Sequence, residues 1–263
     1  MIRPFVLRLA FAVLFVALAG MGAGSGVGAQ GLSRMPPAAA GPFTPQQRAA
    51  IVDIVRQALQ TDPSILRDAV GAMQADDGAR QAAAVHTAIG RAHAALTATA
   101  ADPVGGNPHG AVTVVEFFDV RCPYCRRMLP VVAELLRRNP DLRLVYKDIP
   151  VLGPASVLGT RAEFAAQMQG GYLRMHDALM AGTANIDMAV IEAAAQASGL
   201  DWQRLRRDMN AAAVSARIDA NLKLAQSLDV QGTPAYVIGG QMIPGAVPLA
   251  ELQAAVAAAA KGG

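Results

Sequence analysis

The sequence predicts an α/β fold that contains a long helical insertion and is preceded by a separate helical segment. Two β-branched and aromatic runs, at residues 111–120 and 142–151, have the composition of buried strands and are bounded by turn signals. An amphipathic stretch with helical spacing lies between them, and alternating strands and helices are typical of an α/β sheet. The predicted domain therefore begins with a strand, a helix and a second strand.

A second pair of strands is predicted near the C terminus. Residues from about 154 to 228 have helical character throughout, which we interpret as a helical insertion. Residues 234–245 read PAYVIGGQMIPG, in which Gly239 and Gly240 are typical of a hairpin turn. A helix from Pro248 to about Ala260 then closes the domain, which we place at residues 102–263.

The first 29 residues are typical of a secretory signal peptide. Arg3 and Arg8 flank the start of an apolar run, and small residues end at Ala29, after which we expect cleavage. The apolar run is shorter than the roughly 20 residues that span a bilayer, so a membrane anchor is the weaker interpretation. We therefore expect a periplasmic protein, in a compartment where disulfides persist.

A helical N-terminal region is predicted at residues 44–101, after a flexible linker rich in proline, glycine and alanine at residues 30–43. Thr44 and Asp62 are each followed by proline, which is typical of a helix start. The apolar stripes of these two helices lie outside the domain, so we expect a homo-oligomer, either a dimer or a trimer. From Asp76 onward large apolar side chains are scarce, and we expect a solvated connecting helix that does not pack firmly.

Charge and glycine content exclude two classes of ligand. The formal net charge is +3, and removal of Arg3 and Arg8 with the signal peptide leaves 3 − 2 = +1, which gives no support to a nucleic-acid partner. The alternating glycines of residues 20–28 neither follow a strand nor open a helix, so no nucleotide site is predicted. We expect no cofactor.

Cys122 and Cys125 are the only cysteines of the chain. A disulfide between them would close a very small loop and stabilise little, so a structural bridge is a poor explanation. The unpaired N–H groups and the dipole at a helix N terminus favour the thiolate form of the first cysteine. We expect Cys122 to be an exposed nucleophile and Cys125 to resolve mixed disulfides from behind it.

The neighbours of the two cysteines are predicted to modulate the site. Pro123 suits the first helical position because it gives up an N–H that has no partner there. Tyr124 fills the remaining position between the thiols. Arg126 and Arg127 either add positive potential or form a solvated helix face. A zinc site would need two further ligands, and the four histidines show no paired spacing, so we expect no metal.

Several motifs in this order resemble the DsbA family of thioredoxin-fold thiol–disulfide oxidoreductases, over about residues 112–260. They are Glu116-Phe117-Phe118 before the thiols, the sequence CPYC, YKDIPVLGPAS at residues 146–156, the helical insertion, and GTPAYVI at residues 232–238. The stretch from Thr44 to Gln74 is similar to the oligomerisation segment of the Com1-like and ScsC-like branch.

The resemblance implies roles for particular residues. Glu116 occupies the position of a buried acid that exchanges a proton with Cys125, and its apolar neighbours agree with burial. Thr233 and Pro234 match the cis-proline loop that faces the thiols and holds the substrate backbone. Lys147 follows the family's YKD pattern, and we assign it no catalytic step.

The resemblance also implies an enzyme that exchanges disulfides in unfolded or misfolded exported proteins, served by a membrane redox partner. Tyr124, where histidine is usual, argues against a very oxidising potential, and Thr233 favours isomerisation, although oxidase and isomerase modes both stay open. The alternative is a chaperone or copper-handling protein, because two thiolates suit Cu(I).

Overall fold

The computed structural model describes residues 42–97 and 102–262. The predicted signal peptide and nearly all of the predicted linker lie outside these residues. Within the described residues, the five strands are β1 Val104–Gly106, β2 Val112–Phe118, β3 Leu142–Asp148, β4 Ala235–Ile238 and β5 Gln241–Pro244. The helices are α1 Pro45–Thr61, α2 Ser64–Thr97, α3 Pro123–Arg138, α4 Pro154–Gln167, α5 Tyr172–Ala181, α6 Met188–Ala197, α7 Trp202–Asp208, α8 Ala212–Ser227 and α9 Leu249–Gly262.

The strands form one mixed sheet in the order β1-β3-β2-β4-β5, in which only β2 and β3 are parallel. The two predicted strands, the insertion and the hairpin are confirmed. Strand β1 was not predicted, because residues 104–106 are one valine and two glycines between proline residues and resemble a turn. It pairs with the edge of β3, where a short strand is sufficient.

The two faces of the sheet carry different layers of helix. Because side chains alternate along a strand, Val114, Glu116 and Phe118 of β2 share one face. The apolar members of this face join a core built with α3, α9 and the helical insertion. Val115 and Phe117 point to the opposite face, where they pack with residues of α2 and α8. The first face therefore carries Glu116 beneath α3, the helix on which the cysteines begin.

The C-terminal half of α2 packs on the second face of the sheet. Ile89 and Leu96 are buried against Phe117 and Val237, and the alanines between them allow close approach. The expectation that this helix does not pack firmly is therefore wrong for this half. Two large residues seven positions apart, on one face of the helix, are enough to attach it to the sheet.

The chain divides into two compact units between Leu66 and Arg67, within α2. In the first unit, α1 begins with the predicted capping box, in which Thr44 and Gln47 satisfy each other's backbone N–H groups. No residue of α1 is buried. Across the described residues, no helix has the length and apolar character needed to cross a membrane.

Candidate active site

The two thiols lie where β2 gives way to α3. Pro123 is the first residue of the helix, as predicted, and Cys122 is its N-cap residue. Both cysteines are free thiols and both are buried, with 4% of the surface of Cys122 and 1% of Cys125 exposed. The expectation that Cys122 is exposed is therefore wrong for this structure, because the loop before β4 contacts its thiol.

The covering loop contains Thr233 and Pro234. Their peptide bond is cis, as the resemblance implied. The Cys122 thiol donates a hydrogen bond to the Thr233 carbonyl oxygen at 3.2 Å. Strand β4 begins immediately after this loop and pairs with β2, which ends just before the thiols. The sheet pairing thus brings together residues that are more than a hundred positions apart in sequence.

Glu116 lies on the middle strand beneath the thiols. In the sheet register it faces Tyr146 on β3 and Tyr236 on β4. Tyr236 donates a hydrogen bond from its hydroxyl to Glu116 Oε1 at 3.0 Å. Burial raises the pKa of Glu116 to about 7, against the opposing effects of His176 and Tyr236. A carboxyl group with this pKa can both accept and release a proton near neutral pH.

The Cys125 thiol is electrostatically linked to Glu116. Burial raises the pKa of Cys125 well above its usual range, and the negative charges of Cys122 and Glu116 add to this rise. Cys125 therefore needs a proton acceptor before it can act as a thiolate. The structure brings together Cys122, Cys125, Glu116 and the Thr233-Pro234 loop, to which the resemblance assigns roles.

Asp119 orders the loop before the thiols, a role that was not predicted from the sequence. Its carboxylate accepts hydrogen bonds from the N–H groups of Arg121 at 2.8 Å, Val151 at 2.8 Å and Leu152 at 3.0 Å. Its carbonyl oxygen accepts from the N–H of Cys122 at 2.9 Å. The sequence signal that could have identified Asp119 is the position of an acidic residue directly after a buried apolar strand. Asp119 is fully buried there, and a buried carboxylate needs hydrogen-bond partners.

The two arginines after the thiols have different positions. The Arg126 guanidinium donates hydrogen bonds at 2.8–3.1 Å to backbone carbonyls of four residues, which are Val120, Met180, Gly182 and Thr183. It thereby joins the helical insertion to the thiol loop. Arg127 is exposed and stacks on the Tyr124 ring, with its guanidinium carbon 4.4 Å from the ring centroid. The predicted solvated face therefore does not describe Arg126, whereas its favourable interaction with negative charge on Cys122 agrees with the predicted added potential.

Three exposed apolar side chains lie on the segments next to the buried thiols. Tyr124 is 53% exposed, Val151 52% and Leu152 44%. Tyr124 lies between the cysteines in sequence, and the backbones of Val151 and Leu152 are held by Asp119. We call these three residues the apolar rim. Large apolar side chains exposed together are typical of a surface that binds another chain.

Lys147 lies on the opposite face of the sheet from Glu116. Its ammonium group donates to the Ala95 carbonyl oxygen at 2.7 Å and to Asp102 Oδ2 at 2.5 Å. Lys147 and Asp102 are both buried, and Arg217 approaches the second carboxylate oxygen at 3.2 Å. These contacts attach the end of α2 to the sheet.

The profile of the DSBA-like thioredoxin domain family matches residues 113–257, more than half of the chain. The chain belongs to this family. As a DsbA-like protein it has the predicted thioredoxin fold. Within the described residues, no group of three or more His, Cys, Asp or Glu side chains is placed so that it could hold a metal ion.

Solved structures of similar proteins agree with this membership. A thioredoxin-like oxidoreductase from Silicibacter pomeroyi is 43% identical, with 64% of this chain and 97% of that chain covered and a TM-score of 0.62. ScsC from Proteus mirabilis, in a transitional conformation, is 29% identical, with 84% of this chain and 98% of that chain covered and a TM-score of 0.61. A periplasmic thioredoxin-like protein from Salmonella enterica serovar Typhimurium is 33% identical, with 64% of this chain and 94% of that chain covered and a TM-score of 0.56.

Curated relatives of the DsbA-like chain are much longer proteins. The Na(+)/H(+) antiporter NhaA 1 of Salinispora arenicola is 32% identical over 163 residues, which cover 61% of this chain and 25% of the relative. The antiporter NhaA 3 of Salinispora tropica matches in the same way, with 24% of its length covered. The chain thus spans about a quarter of the length of these relatives.

Proposed function

We propose that the protein is an exported thiol–disulfide oxidoreductase that exchanges disulfides in periplasmic proteins, with Cys122 as nucleophile and Cys125 as resolving thiol. One observation carries the proposal: Cys122 contacts the Thr233 carbonyl oxygen of the cis-proline loop, while Cys125 lies buried behind it and is coupled to Glu116. A substrate sulfur that reacts with Cys122 therefore has a second thiol, Cys125, and a proton acceptor, Glu116, close to the reacting atoms.

In the first step the Cys122 thiolate attacks one sulfur of a substrate disulfide. A mixed disulfide forms between Cys122 and the substrate, the substrate's own S–S bond breaks, and the second substrate sulfur leaves as a thiolate. The N terminus of α3 favours the attacking thiolate, because its unpaired N–H groups and dipole stabilise negative charge at Cys122.

In the second step Cys125 gives its proton to the Glu116 carboxylate and attacks Cys122. A Cys122–Cys125 disulfide forms, the mixed disulfide breaks, and the substrate sulfur leaves as a thiolate that takes up a proton. Two electrons have passed to the substrate, and the reverse sequence oxidises it. In isomerisation the thiolate released in the first step attacks another disulfide of the substrate and displaces a different substrate thiolate. That thiolate attacks the mixed disulfide, Cys122 leaves again as a thiolate, and no electrons are transferred.

We propose that the substrates are unfolded or misfolded exported proteins that contain cysteines. The apolar rim offers three exposed side chains to apolar segments that a folded protein would bury. Thr233 and Pro234 lie directly beside Cys122 and are placed to hold the substrate backbone next to the reacting sulfur. A membrane redox partner is needed to restore the state of the thiol pair after each net transfer of electrons.

We further propose that residues 44–74 make the mature protein a homo-oligomer, a dimer or a trimer. Apolar side chains of this region that are 37–66% exposed support the proposal, and they are Ile51, Val52, Ile54, Val55, Leu59, Ile65, Leu66, Val70 and Met73. A symmetric copy is the commonest partner for such a stripe. Several thiol sites in one assembly suit isomerisation, because one site can hold a misfolded chain while another attacks it.

The proposed export depends on residues 1–29 acting as a cleaved signal peptide. The basic start, the apolar run and the small residues before Ala29 support it. The similar Salmonella protein described as periplasmic is consistent with this location.

The test uses two substrates with the mature protein and its Cys122→Ser and Cys125→Ser variants. We expect the wild type to reduce insulin with a dithiol reductant and to restore scrambled ribonuclease, and Cys122→Ser to do neither. Cys125→Ser should keep part of the ribonuclease activity, because isomerisation needs only the first thiol. Failure of the wild type on both substrates, together with stoichiometric Cu(I) binding that both cysteines require, would instead support the copper-handling alternative.

A further inference from the structure

A groove lies between helix α2 and strand β5, on the second face of the sheet. Its volume is about 1130 Å³, which is above the roughly 300–1,000 Å³ typical of small-molecule pockets. One wall consists of residues of α2 between Gly78 and Thr87, and the other consists of the loop at residues 228–233 and of β5. Both walls belong to the compact unit that begins at Arg67. The groove is therefore large enough for a peptide segment.

One end of the groove lies at the thiol site. Thr233, whose carbonyl oxygen accepts the hydrogen bond from Cys122, also lines the groove. Strand β5 runs from the hairpin turn toward the cis-proline loop and ends at Pro244. At the hairpin turn, His86 Nδ1 donates a hydrogen bond to the Gly240 carbonyl oxygen at 2.9 Å and connects α2 to the turn. A chain that is bound at Cys122 can therefore continue into the groove alongside β5.

Strand β5 is an edge strand, and its outer edge has no partner strand within the described residues. The N–H of Gly245 donates to the Pro234 carbonyl oxygen at 2.8 Å, so Gly245 faces β4. Because the direction of main-chain groups alternates along an antiparallel strand, Met242 and Pro244 direct their carbonyl oxygens, and Met242 its N–H, to the outer edge. Such unpaired groups can bind an extended peptide, which then adds a strand to the sheet.

The residues that line the groove are mostly small and uncharged. Among those that the structure describes, Asp229 is the only Asp, Glu, Lys or Arg, and its carboxylate contacts the side chain of Gln231. A Cβ atom added at Gly78, Gly232 or Gly245 would have no atom within 4 Å. The apolar part of the lining consists mainly of Ala82, Ala83, Val85, Leu228, Met242 and Pro244. This lining suits small or apolar side chains, because a charged one would lose water without gaining a partner.

On the basis of the proposed exchange function, we propose that this groove binds an extended, weakly charged segment of the unfolded substrate, next to the cysteine that reacts with Cys122. The substrate is favoured over a segment of this chain because the groove begins at Thr233, beside the reacting sulfur. The four residues of β5 span about 13 Å at roughly 3.3 Å per residue, so the groove holds about four substrate residues. Helix α2 thus contributes a wall of the substrate site.

The first test measures binding of an unfolded chain without disulfide exchange. The probe is reduced ribonuclease whose thiols are blocked with iodoacetamide, which adds no charge. Gly78→Trp fills the groove, and the open space at this position allows the variant to fold. Gly90→Trp is the matched control, because Gly90 lies on the same helix in equally open space but outside the groove. We expect Gly78→Trp to raise the Kd for the probe by about fivefold or more, and Gly90→Trp to leave it unchanged.

The same variants separate substrate binding from thiol chemistry. Gly78→Trp should raise the KM for scrambled ribonuclease by a similar factor and leave kcat unchanged. The rate at which it reduces a small aromatic disulfide should equal that of the wild type, because such a molecule reacts with Cys122 without occupying the groove. Gly90→Trp should match the wild type in both assays.

The position of the bound segment is tested by photocrosslinking. A benzoylphenylalanine introduced in place of Gln81, which lines the groove, is combined with Cys125→Ser and a trapped ribonuclease substrate. Peptide mass mapping should place the crosslink within about eight residues of the trapped substrate cysteine, given the length of β5. Crosslinks to peptides of this protein would show that its own N-terminal segment or a second copy occupies the groove, and would overturn the inference.

The inference is also overturned if the wild type does not bind the blocked ribonuclease, or if the two tryptophan variants bind it equally. A wild type that exchanges disulfides while both variants bind equally contradicts the role of the groove alone. A wild type that exchanges no disulfide, but whose binding is weakened by Gly78→Trp and not by Gly90→Trp, supports the groove and contradicts the proposed function.

Discussion

Glu116 lies buried between two tyrosines on the middle strands, and its protonation is the residue-scale feature on which the proposed exchange depends. Its folded pKa of about 7 is above the ordinary glutamate value of 4.5, so the folded state holds a proton that the unfolded state has released in this pH window. The stability of the protein should therefore fall as the pH rises from about 4.5 to about 7 because of this residue.

Glu116→Gln tests this directly. The variant keeps the shape but removes the ionisation, so it should be more stable than the wild type above pH 7, by at most about 3 kcal/mol, with the difference disappearing near pH 4. Urea unfolding across this pH range measures it. The same variant should exchange thiols more slowly between pH 6 and 8 in stopped-flow experiments. Unchanged exchange rates would mean that Glu116 has a structural role only.

At the scale of secondary-structure elements, the attachment of α2 to the sheet depends on a buried ion pair as well as on apolar contacts. Ile89 and Leu96 cover the second face of the sheet, and Lys147 binds both the end of α2 and Asp102. Burial lowers the pKa of Lys147, while Asp102 opposes this effect. A buried charge without its partner is strongly destabilising.

Lys147→Met should destabilise the domain by about 3 kcal/mol or more, because Asp102 loses its closest cation. Arg80→Met is the matched control: Arg80 pairs with Asp76 and Asp77 on an exposed part of α2, where ion pairs contribute about 1 kcal/mol or less. Urea unfolding measures both. Equal effects of the two substitutions would contradict the importance of the buried pair. The rate at which an alkylating reagent modifies the Cys122 thiol should not change in Lys147→Met, since Lys147 lies on the other face of the sheet.

At the scale of the whole molecule, the local patterns predicted most of the fold but not how its elements contact one another. Strands β2 and β3, the hairpin and the start of α3 follow from β-branched runs, Gly239-Gly240 and Pro123, which are signals within a few residues. The burial of Cys122, the carbonyl partners of Arg126 and the packing of α2 depend on contacts between distant segments. The periodicity of the sequence predicts elements but not the contacts between distant elements. The packing of α2 was not predicted because many of its side chains are small alanines.

Removing residues 30–75 from the mature chain tests the role proposed for the N-terminal helices. This form keeps Ile89, Leu96 and Lys147 with their partners, so it should stay folded and reduce insulin. We expect light scattering to show a monomer, and most of the activity on scrambled ribonuclease should be lost. An intact mature chain that is already monomeric, or a shortened form that isomerises equally well, would show that these helices are not needed for isomerisation.

The most direct test of the central proposal is to trap the mixed disulfide. Cys125→Ser should accumulate a covalent adduct with scrambled ribonuclease, because the thiol that resolves the intermediate has been removed. Peptide mass mapping should place the substrate on Cys122, and Cys122→Ser should form no comparable adduct. If instead Cys122→Ser traps the substrate through Cys125, or if neither variant forms an adduct while the wild type is active, the assignment of nucleophile and resolving thiol is contradicted.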